Sequence, residues 1–324
     1  MGRILVSASH FDTLCREAWD LLEQNGHEVV FDKDRSFPAY SYDELKDIIG
    51  DIDAAIIGMD LYNEDVFKIA PKLKAVAKFG VGVDNIDLAA ASKYGVKALN
   101  APGQNSNAVA ELTVGFIIDM LRQVVPIHRE LEKGNWPRWL GGELKGRTVG
   151  LVGFGAIARL VAKKLSGFDV KIKAFDLYMN DALAAELGVE VTTLDDIIET
   201  CDVVSLHIPA TAENHHMFDR EMFARMKRGA CLVNAARGGL VDLDALTEAL
   251  REGHIAGAAL DAFEVEPLPA GAEIFRYNVI CTPHIGAETY EAYRNVSLCV
   301  SQDIIEVLAG REPAHWVNRP RENA

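Results

Sequence analysis

The sequence predicts an α/β protein of two doubly wound parallel-sheet domains, and three observations carry that expectation. Short apolar runs alternate with helical patterns from end to end, the arrangement that buries parallel strands between layers of helices. At 324 residues the chain exceeds what a single core usually serves. The two halves repeat one architecture, and a glycine-rich turn stands at the start of the second.

Taken in order, the first half places strands at 3–8, 28–31, 53–57, 75–78 and 96–99. Residues 12–25 read as a helix with Leu14, Ala18, Leu21 and Leu22 on one face, stopped at Asn25-Gly26. Ala108 to Leu121 is a helix apolar nearly all round, interrupted by Glu111 and Asp119. It is too short to span a bilayer and is expected to lie buried at a domain or subunit interface. The second series starts with the apolar run Thr148 to Val152 and a helix over Arg159 to Leu165. Strands then recur at 170–175, 202–207, 230–234, 256–260 and 278–282, with helices at 181–187, 195–199, 219–227 and 242–252. Gly188, Gly229 and Gly253 occupy expected helix C-caps. Tyr290 to Leu308 reads as one long amphipathic helix, whose placement the pattern leaves open.

The turn Gly153-Phe154-Gly155-Ala156-Ile157-Ala158 joins the strand at 148–152 to its helix, and Asp176 directly follows the strand ending at Phe175. Strand, glycine turn, helix, strand, acid is the order that holds a dinucleotide in a Rossmann unit. Gly153 makes the tight turn, and Gly155 lets the backbone approach the pyrophosphate. Helix N–H groups meet the anion, and Asp176 hydrogen-bonds the adenosine ribose. Ala158 stands where a third glycine would serve close helix–strand packing, and its methyl is the smallest possible intrusion. A carboxylate beside the ribose repels a 2′-phosphate, and Leu177-Tyr178-Met179 offers no arginine to receive one. NAD is therefore expected over NADP.

Composition narrows the class further. Thirty-three basic against 48 acidic residues leave a net charge of −15, which argues against a nucleic-acid or anionic-membrane surface. The cysteines Cys15, Cys201, Cys231, Cys281 and Cys299 form no CxxC pair, and four lie in or near apolar runs. Buried thiols are expected rather than disulfides. The chain enters its first strand at Ile4 without a basic-then-apolar leader, so a cytoplasmic protein is expected. His215-His216 has no further metal ligand beside it in sequence, and no metal site is expected.

Hydride transfer to a 2-oxo acid needs a proton donor working near neutrality, a carboxylate tuning it, and a cation at the carbonyl and carboxylate oxygens. Residues suited to each stand after successive strands of the second half, where ligands of such sheets lie. Arg237 sits in Asn234-Ala235-Ala236-Arg237-Gly238-Gly239, whose small residues let something approach closely. Asp261-Ala262-Phe263-Glu264-Val265-Glu266-Pro267 supplies Glu264 and Glu266, two candidates that spacing cannot separate. His284 lies in Thr282-Pro283-His284-Ile285-Gly286.

Over essentially its whole length the chain resembles the D-isomer-specific 2-hydroxyacid dehydrogenases. The likeness rests on several segments in order. They are Phe79-Gly80-Val81-Gly82-Val83-Asp84-Asn85-Ile86-Asp87, Asn100-Ala101-Pro102-Gly103-Gln104-Asn105 leading to Val109-Ala110-Glu111, the glycine turn, His207-Ile208-Pro209, and the arginine, Glu-Pro and histidine segments. The resemblance implies that Arg237 orients substrate, His284 is the general acid/base, and Glu266, before Pro267, is its paired carboxylate. It implies that Val81 and Gly82 offer backbone N–H groups to the substrate carboxylate and that Asn105 is a substrate-side residue. Ala156, Ile157, Asp176, Ile208, Pro209, Ala235, Asp261, Gly286 and Ala287 fall on cofactor-contacting positions. It further implies a Rossmann NAD domain, 101–287, inserted into a flavodoxin-like substrate domain built from 1–100 and 288–324. Domain closure that excludes water and a homodimer formed in part by Ala108 to Leu121 are implied too, and Trp136 and Trp139 are candidates to line a neighbouring subunit's site.

Within the family the Gly-Val-Gly-Val-Asp-Asn and Asn-Ala-Pro-Gly-Gln-Asn segments look closest to phosphoglycerate dehydrogenases, where arginine commonly follows the strand equivalent to Ala54 to Gly58. Here Met59-Asp60-Leu61 follows it, and Asp60 would repel a phosphate. No regulatory domain of the kind such enzymes carry is expected after the last helix. A non-phosphorylated acid such as glyoxylate or hydroxypyruvate is therefore favoured, with D-3-phosphoglycerate as the alternative. An NAD(H)-sensing binding protein is the reading of another class, since such proteins can retain all three catalytic residues.

Overall fold

The computed structural model describes residues 1–34 and 39–320. Chain contacts divide it into two units, Met1–Asn105 with Ala287–Ala324, and Ser106–Gly286. The first unit carries parallel strands β1 (Arg3–Val6), β2 (Glu28–Val30), β3 (Ala54–Ile57), β4 (Ala75–Lys78) and β5 (Lys97–Leu99), in the order β2-β1-β3-β4-β5. That order is the flavodoxin-like one. Its core strands are apolar on both faces because helices cover both: Ile4, Ala54 and Ala75 pack toward the helix Tyr290–Leu308, Leu5, Ala55 and Val76 toward Leu45, Val66 and Ala90.

The second unit carries β6 (Thr148–Val152), β7 (Lys171–Phe175), β8 (Glu190–Val191), β9 (Val203–Leu206), β10 (Cys231–Asn234), β11 (Gly257–Leu260) and β12 (Val279–Cys281). All pair in parallel, in the order β12-β11-β10-β9-β6-β7-β8. The chain order reverses between β6 and β9, so a crevice opens beyond the carboxyl ends of those two strands. Both sheets are doubly wound, as the alternating pattern predicts.

One local expectation is corrected and one strand is added. The helix predicted over 12–25 is two, Phe11–Leu14 and Arg16–Gln24, because Cys15 leaves helical geometry at φ −113°, ψ 34°. The apolar helix, observed as Ser106–Arg122, buries Phe116, Ile117 and Met120 in its own unit's core beside Val161 and Leu165. β8 is two exposed residues beside β7, too short to mark the sequence. The five cysteines are free thiols, and burial pushes each up to about 11. No helix among the described residues is long and apolar enough to cross a membrane.

Candidate active site

Most helices of this chain close their first turn with a side chain: Ser41, Asn63, Asp87, Asn180, Thr193, Asp219, Asp242 and Thr289 all accept from backbone N–H groups. The helix Ala156–Leu165 does not. Gly155 caps it without a side chain, leaving the N–H groups of Ala156 and Ile157 for an anion. Gly153 holds φ +97°, and a Cβ there would stand 2.7 Å from the His207 carbonyl oxygen at the end of β9. Glycine is thus required where the crevice opens. A Cβ on Gly155 would meet nothing within 4 Å, so this stretch of backbone is open to a ligand. Ala158, at the third glycine position, is fully buried, so its methyl is accommodated.

The Asp176 carboxylate accepts from Phe154 N–H at 2.7 Å through Oδ2 and from Tyr178 N–H at 2.8 Å through Oδ1. Each oxygen keeps a lone pair for a ribose hydroxyl. Leu177 and Tyr178 beside it are exposed and carry no positive charge. Open helix N-terminus, required glycine and paired carboxylate fit a dinucleotide with a free 2′-hydroxyl. Asp176→Ala is expected to lower kcat/KM with NADH by at least about tenfold, the loss of one hydrogen bond to a charged group. The change is expected to raise the NADPH-to-NADH ratio of kcat/KM, which steady-state kinetics with both cofactors measures. Ile208 and Pro209 follow β9, and Ala235 follows β10, on this same edge of the sheet. His207, whose ring Nε2 lies 2.9 Å from Ser205 Oγ, is held down at about 4 by burial and is neutral at pH 7.

Loops after the adjacent strands β10, β11 and β12 carry Arg237, Glu266 and His284. Nδ1 of His284 lies 3.2 Å from both Glu266 carboxylate oxygens, and the Glu266 carboxylate also accepts from Phe263 N–H at 2.9 Å. An ionised carboxylate accepts only, so Nδ1 carries the proton facing it and Nε2 is left for a substrate. Glu264, which spacing could not separate from Glu266, lies elsewhere: its two oxygens stand 2.7 Å from Nε2 of His215 and Nε2 of His216. A third potential ligand therefore does lie beside the histidine pair, which the local sequence did not reveal.

The arginine loop owes its small residues to a neighbour. A Cβ on Gly238 would overlap the backbone of Phe263 and Glu264, so what approaches closely is the Glu266 loop itself. Asn234, fully buried, donates to the Arg237 carbonyl at 2.8 Å and accepts from Ala236 N–H at 3.0 Å. Sequence reasoning passed over Asn234; an amide ending a buried strand was its signal.

His284 adopts φ +57°, a region that costs a residue other than glycine of order 1–3 kcal/mol. Asp261 holds it there. This buried carboxylate accepts from Thr282 Oγ1 at 2.6 Å, Ile285 N–H at 2.8 Å and Gly286 N–H at 2.7 Å, bracketing the histidine on both sides. Beside the cofactor contact that the resemblance implies for it, both its oxygens serve the histidine loop.

In the first unit, the turn after β4 presents Val81 and Gly82. Among the described residues their N–H groups donate to no acceptor, while the Val81 carbonyl accepts from Asn100 Nδ2 at 2.7 Å. Asn105 Oδ1 is buried with no hydrogen-bond partner among the described residues. Asp60 is buried rather than facing a ligand: its carboxylate accepts from Ser7 Oγ, from Tyr40 N–H at 2.6 Å and from Gly58 N–H at 3.2 Å. The side chains the turn after β3 exposes are Met59 and Leu61.

Residues 114–286 match the model of the D-isomer specific 2-hydroxyacid dehydrogenase NAD-binding domain. A glyoxylate reductase of Thermofilum pendens is 40% identical over 301 residues, 90% of this chain and 88% of that protein. A D-3-phosphoglycerate dehydrogenase of Methanocaldococcus jannaschii is 39% identical over 326 residues, 99% of this chain but 60% of that longer protein. A solved Thermus thermophilus protein superposes with a TM-score of 0.87 at 35% identity, covering 97% of this chain and 99% of that one. With the NAD-type crevice and the loops of β10 to β12 in place, these likenesses make the chain an NAD-dependent oxidoreductase belonging to the D-isomer-specific 2-hydroxyacid dehydrogenase family.

Proposed function

We propose that the protein reduces a small, non-phosphorylated 2-oxo acid, of the glyoxylate or hydroxypyruvate kind, to its D-2-hydroxy acid. The observation that carries this reading is the turn after β3, where exposed Met59 and Leu61 flank an inward Asp60 and no arginine is present to receive a phosphate. The likeness to a glyoxylate reductase over 88% of its length supports it. D-3-Phosphoglycerate is the second reading, favoured by the M. jannaschii relative.

Bound NADH supplies the hydride. In this proposal the free N–H groups of Val81 and Gly82 receive the substrate carboxylate, Asn105 stands on the substrate side, and Arg237 stabilises charge developing on the carbonyl oxygen. His284, held through Nδ1 by Glu266, donates the proton of Nε2 to that oxygen, so carbon gains hydride and oxygen gains the proton. Gly153, Gly155, Ala156, Ile157, Asp176, Ile208, Pro209, Ala235, Asp261, Gly286 and Ala287 line or support the cofactor.

The test is NADH oxidation against glyoxylate, hydroxypyruvate, pyruvate, branched and aromatic 2-oxo acids, and 3-phosphohydroxypyruvate. The expected outcome is the highest kcat/KM with glyoxylate or hydroxypyruvate. A preference for 3-phosphohydroxypyruvate would establish the second reading, and NADH binding without turnover of any acid would point to a sensor. We also propose a cytoplasmic homodimer. Exposed Val124, Leu131, Trp136, Trp139 and Leu140, concentrated in one segment, form the apolar surface a partner copy would cover.

A further inference from the structure

We propose that Cys299, Asp303 and His315 form a binding site for a divalent transition-metal ion, zinc foremost, that ties the C-terminal segment to the long helix of the first unit. Cys299 and Asp303 are four residues apart on the helix Tyr290–Leu308 and so share a face. Gly310, at φ +77°, turns the chain back and delivers His315 to that face. The three ligand atoms, Sγ, a carboxylate oxygen and Nδ1, lie within 4.8 Å of one another.

The distances can be set against what zinc requires. Bond lengths near 2.3 Å to sulfur, 2.05 Å to nitrogen and 2.1 Å to oxygen in a tetrahedron separate S from N by about 3.5 Å and N from O by about 3.4 Å. Here Sγ and Nδ1 are 3.5 Å apart, and Nδ1 and Oδ2 are 2.8 Å apart. The first pair already has the right spacing. The second opens by roughly 0.6 Å when a cation replaces the shared hydrogen, a movement within reach of the half-buried His315 side chain.

The remainder of the site suits an ion too. Asp303 is buried, and its other oxygen accepts from Ala314 N–H at 2.8 Å, so the carboxylate is oriented by an outer partner. Three protein ligands leave a fourth position, and the cluster borders a cavity of about 390 Å³ whose wall includes Gln104, Asn295 and Gln302. Thiolate, imidazole and carboxylate together favour zinc over the hard cations, which take oxygen ligands. The segment beyond His315 covers the edge of β5: Val317 N–H donates to the Ala98 carbonyl, and Asn318 Oδ1 accepts from Ala98 N–H, both at 2.8 Å. A bound ion would fasten that cover.

The other cluster of potential ligands, His215, His216 and Glu264, is less suited. Its rings stack 3.9 Å apart at 22°, so their in-plane Nε2 lone pairs run side by side instead of converging. One carboxylate oxygen already meets each nitrogen.

The experiment is titration of chelator-treated protein with Co²⁺ alone, followed by displacement with Zn²⁺. The expected result is one equivalent bound, a sulfur-to-cobalt charge-transfer band, its loss on adding Zn²⁺, and a Tm that rises with Zn²⁺ concentration. Cys299→Ser is expected to remove the band. Cys299→Ser and His315→Gln are each expected to weaken Zn²⁺ binding by at least the ~10–100-fold that loss of an outer partner costs, with 2-oxo acid reduction unchanged. Absence of the sulfur band in the wild type, or its survival in Cys299→Ser, would overturn the proposal. So would binding that persists in both variants and is lost in His215→Ala.

Discussion

Replacing His284 by alanine is expected to lower kcat for 2-oxo acid reduction by about 10²–10⁴-fold, the usual contribution of a positioned general acid. Arg237→Ala is expected to cost about 10²–10³-fold, as for removal of a preorganised group facing developing charge. NADH binding, followed by quenching of protein fluorescence, is expected to persist in both, because neither residue belongs to the turn at Gly153. Near-wild-type turnover in His284→Ala would remove the assignment. The two neighbouring glutamates supply an internal control. Glu266, 3.2 Å from His284 Nδ1, fixes the proton on the nitrogen away from substrate. Its change to Gln loses a charge-assisted bond of about 1.5–3 kcal/mol, tenfold or more in rate. Glu264 pairs with His215 and His216 instead, so Glu264→Gln is expected to leave kcat close to the wild type.

Gly238→Ala is expected to disable the enzyme without touching any reacting group. The added methyl would overlap the backbone of Phe263 and Glu264. The arginine and glutamate loops must then separate, and a displacement of about 1 Å between catalytic groups can cost 10²-fold. Both kcat and KM for the 2-oxo acid are expected to suffer, since Arg237 orients and stabilises. Gly239→Ala is the matched comparison: its Cβ would lie 3.6 Å from His215 Cδ2, an ordinary contact, and steady-state activity is expected to change little. Equal loss in the two variants would mean that the packing of these loops does not position Arg237.

Much of this architecture was legible along the chain because it is local. The β6 strand, the turn at Gly153 and Asp176 after β7 are consecutive, and their hydrogen bond, Phe154 N–H to Asp176, closes a single βαβ unit. Parallel strands buried on both faces read as continuous apolar runs. Short helices were missed where caps, not periodicity, mark them. Tyr42–Ile48 follows Ser41, which forms a capping box with Glu44, and Glu64–Ile69 follows Asn63; two turns are too few to establish a period.

The candidate site was legible only in part. Residue type and strand-end position singled out Arg237 and His284, but neither could show what holds them. Asp261 bracketing His284 and Asn234 bracing Arg237 act through hydrogen bonds between loops, and such bonds leave no spacing in the sequence. Asp60 reads as an exposed charge in Met59-Asp60-Leu61, yet it is an internal acceptor because Ser7 and Tyr40, far away in the chain, converge on it.

By itself, then, the sequence determined the two parallel sheets and the dinucleotide turn, set by periodicity and by contacts within one βαβ step, and it singled out Arg237 and His284 by residue type at strand ends. Tertiary structure alone decided that Glu264 turns to His215 and His216, why Gly238 must be glycine, where Asp60 turns, and that Cys299, Asp303 and His315 converge. Those outcomes depend on the distance between segments remote in the chain, a quantity that folding sets and residue order does not encode locally.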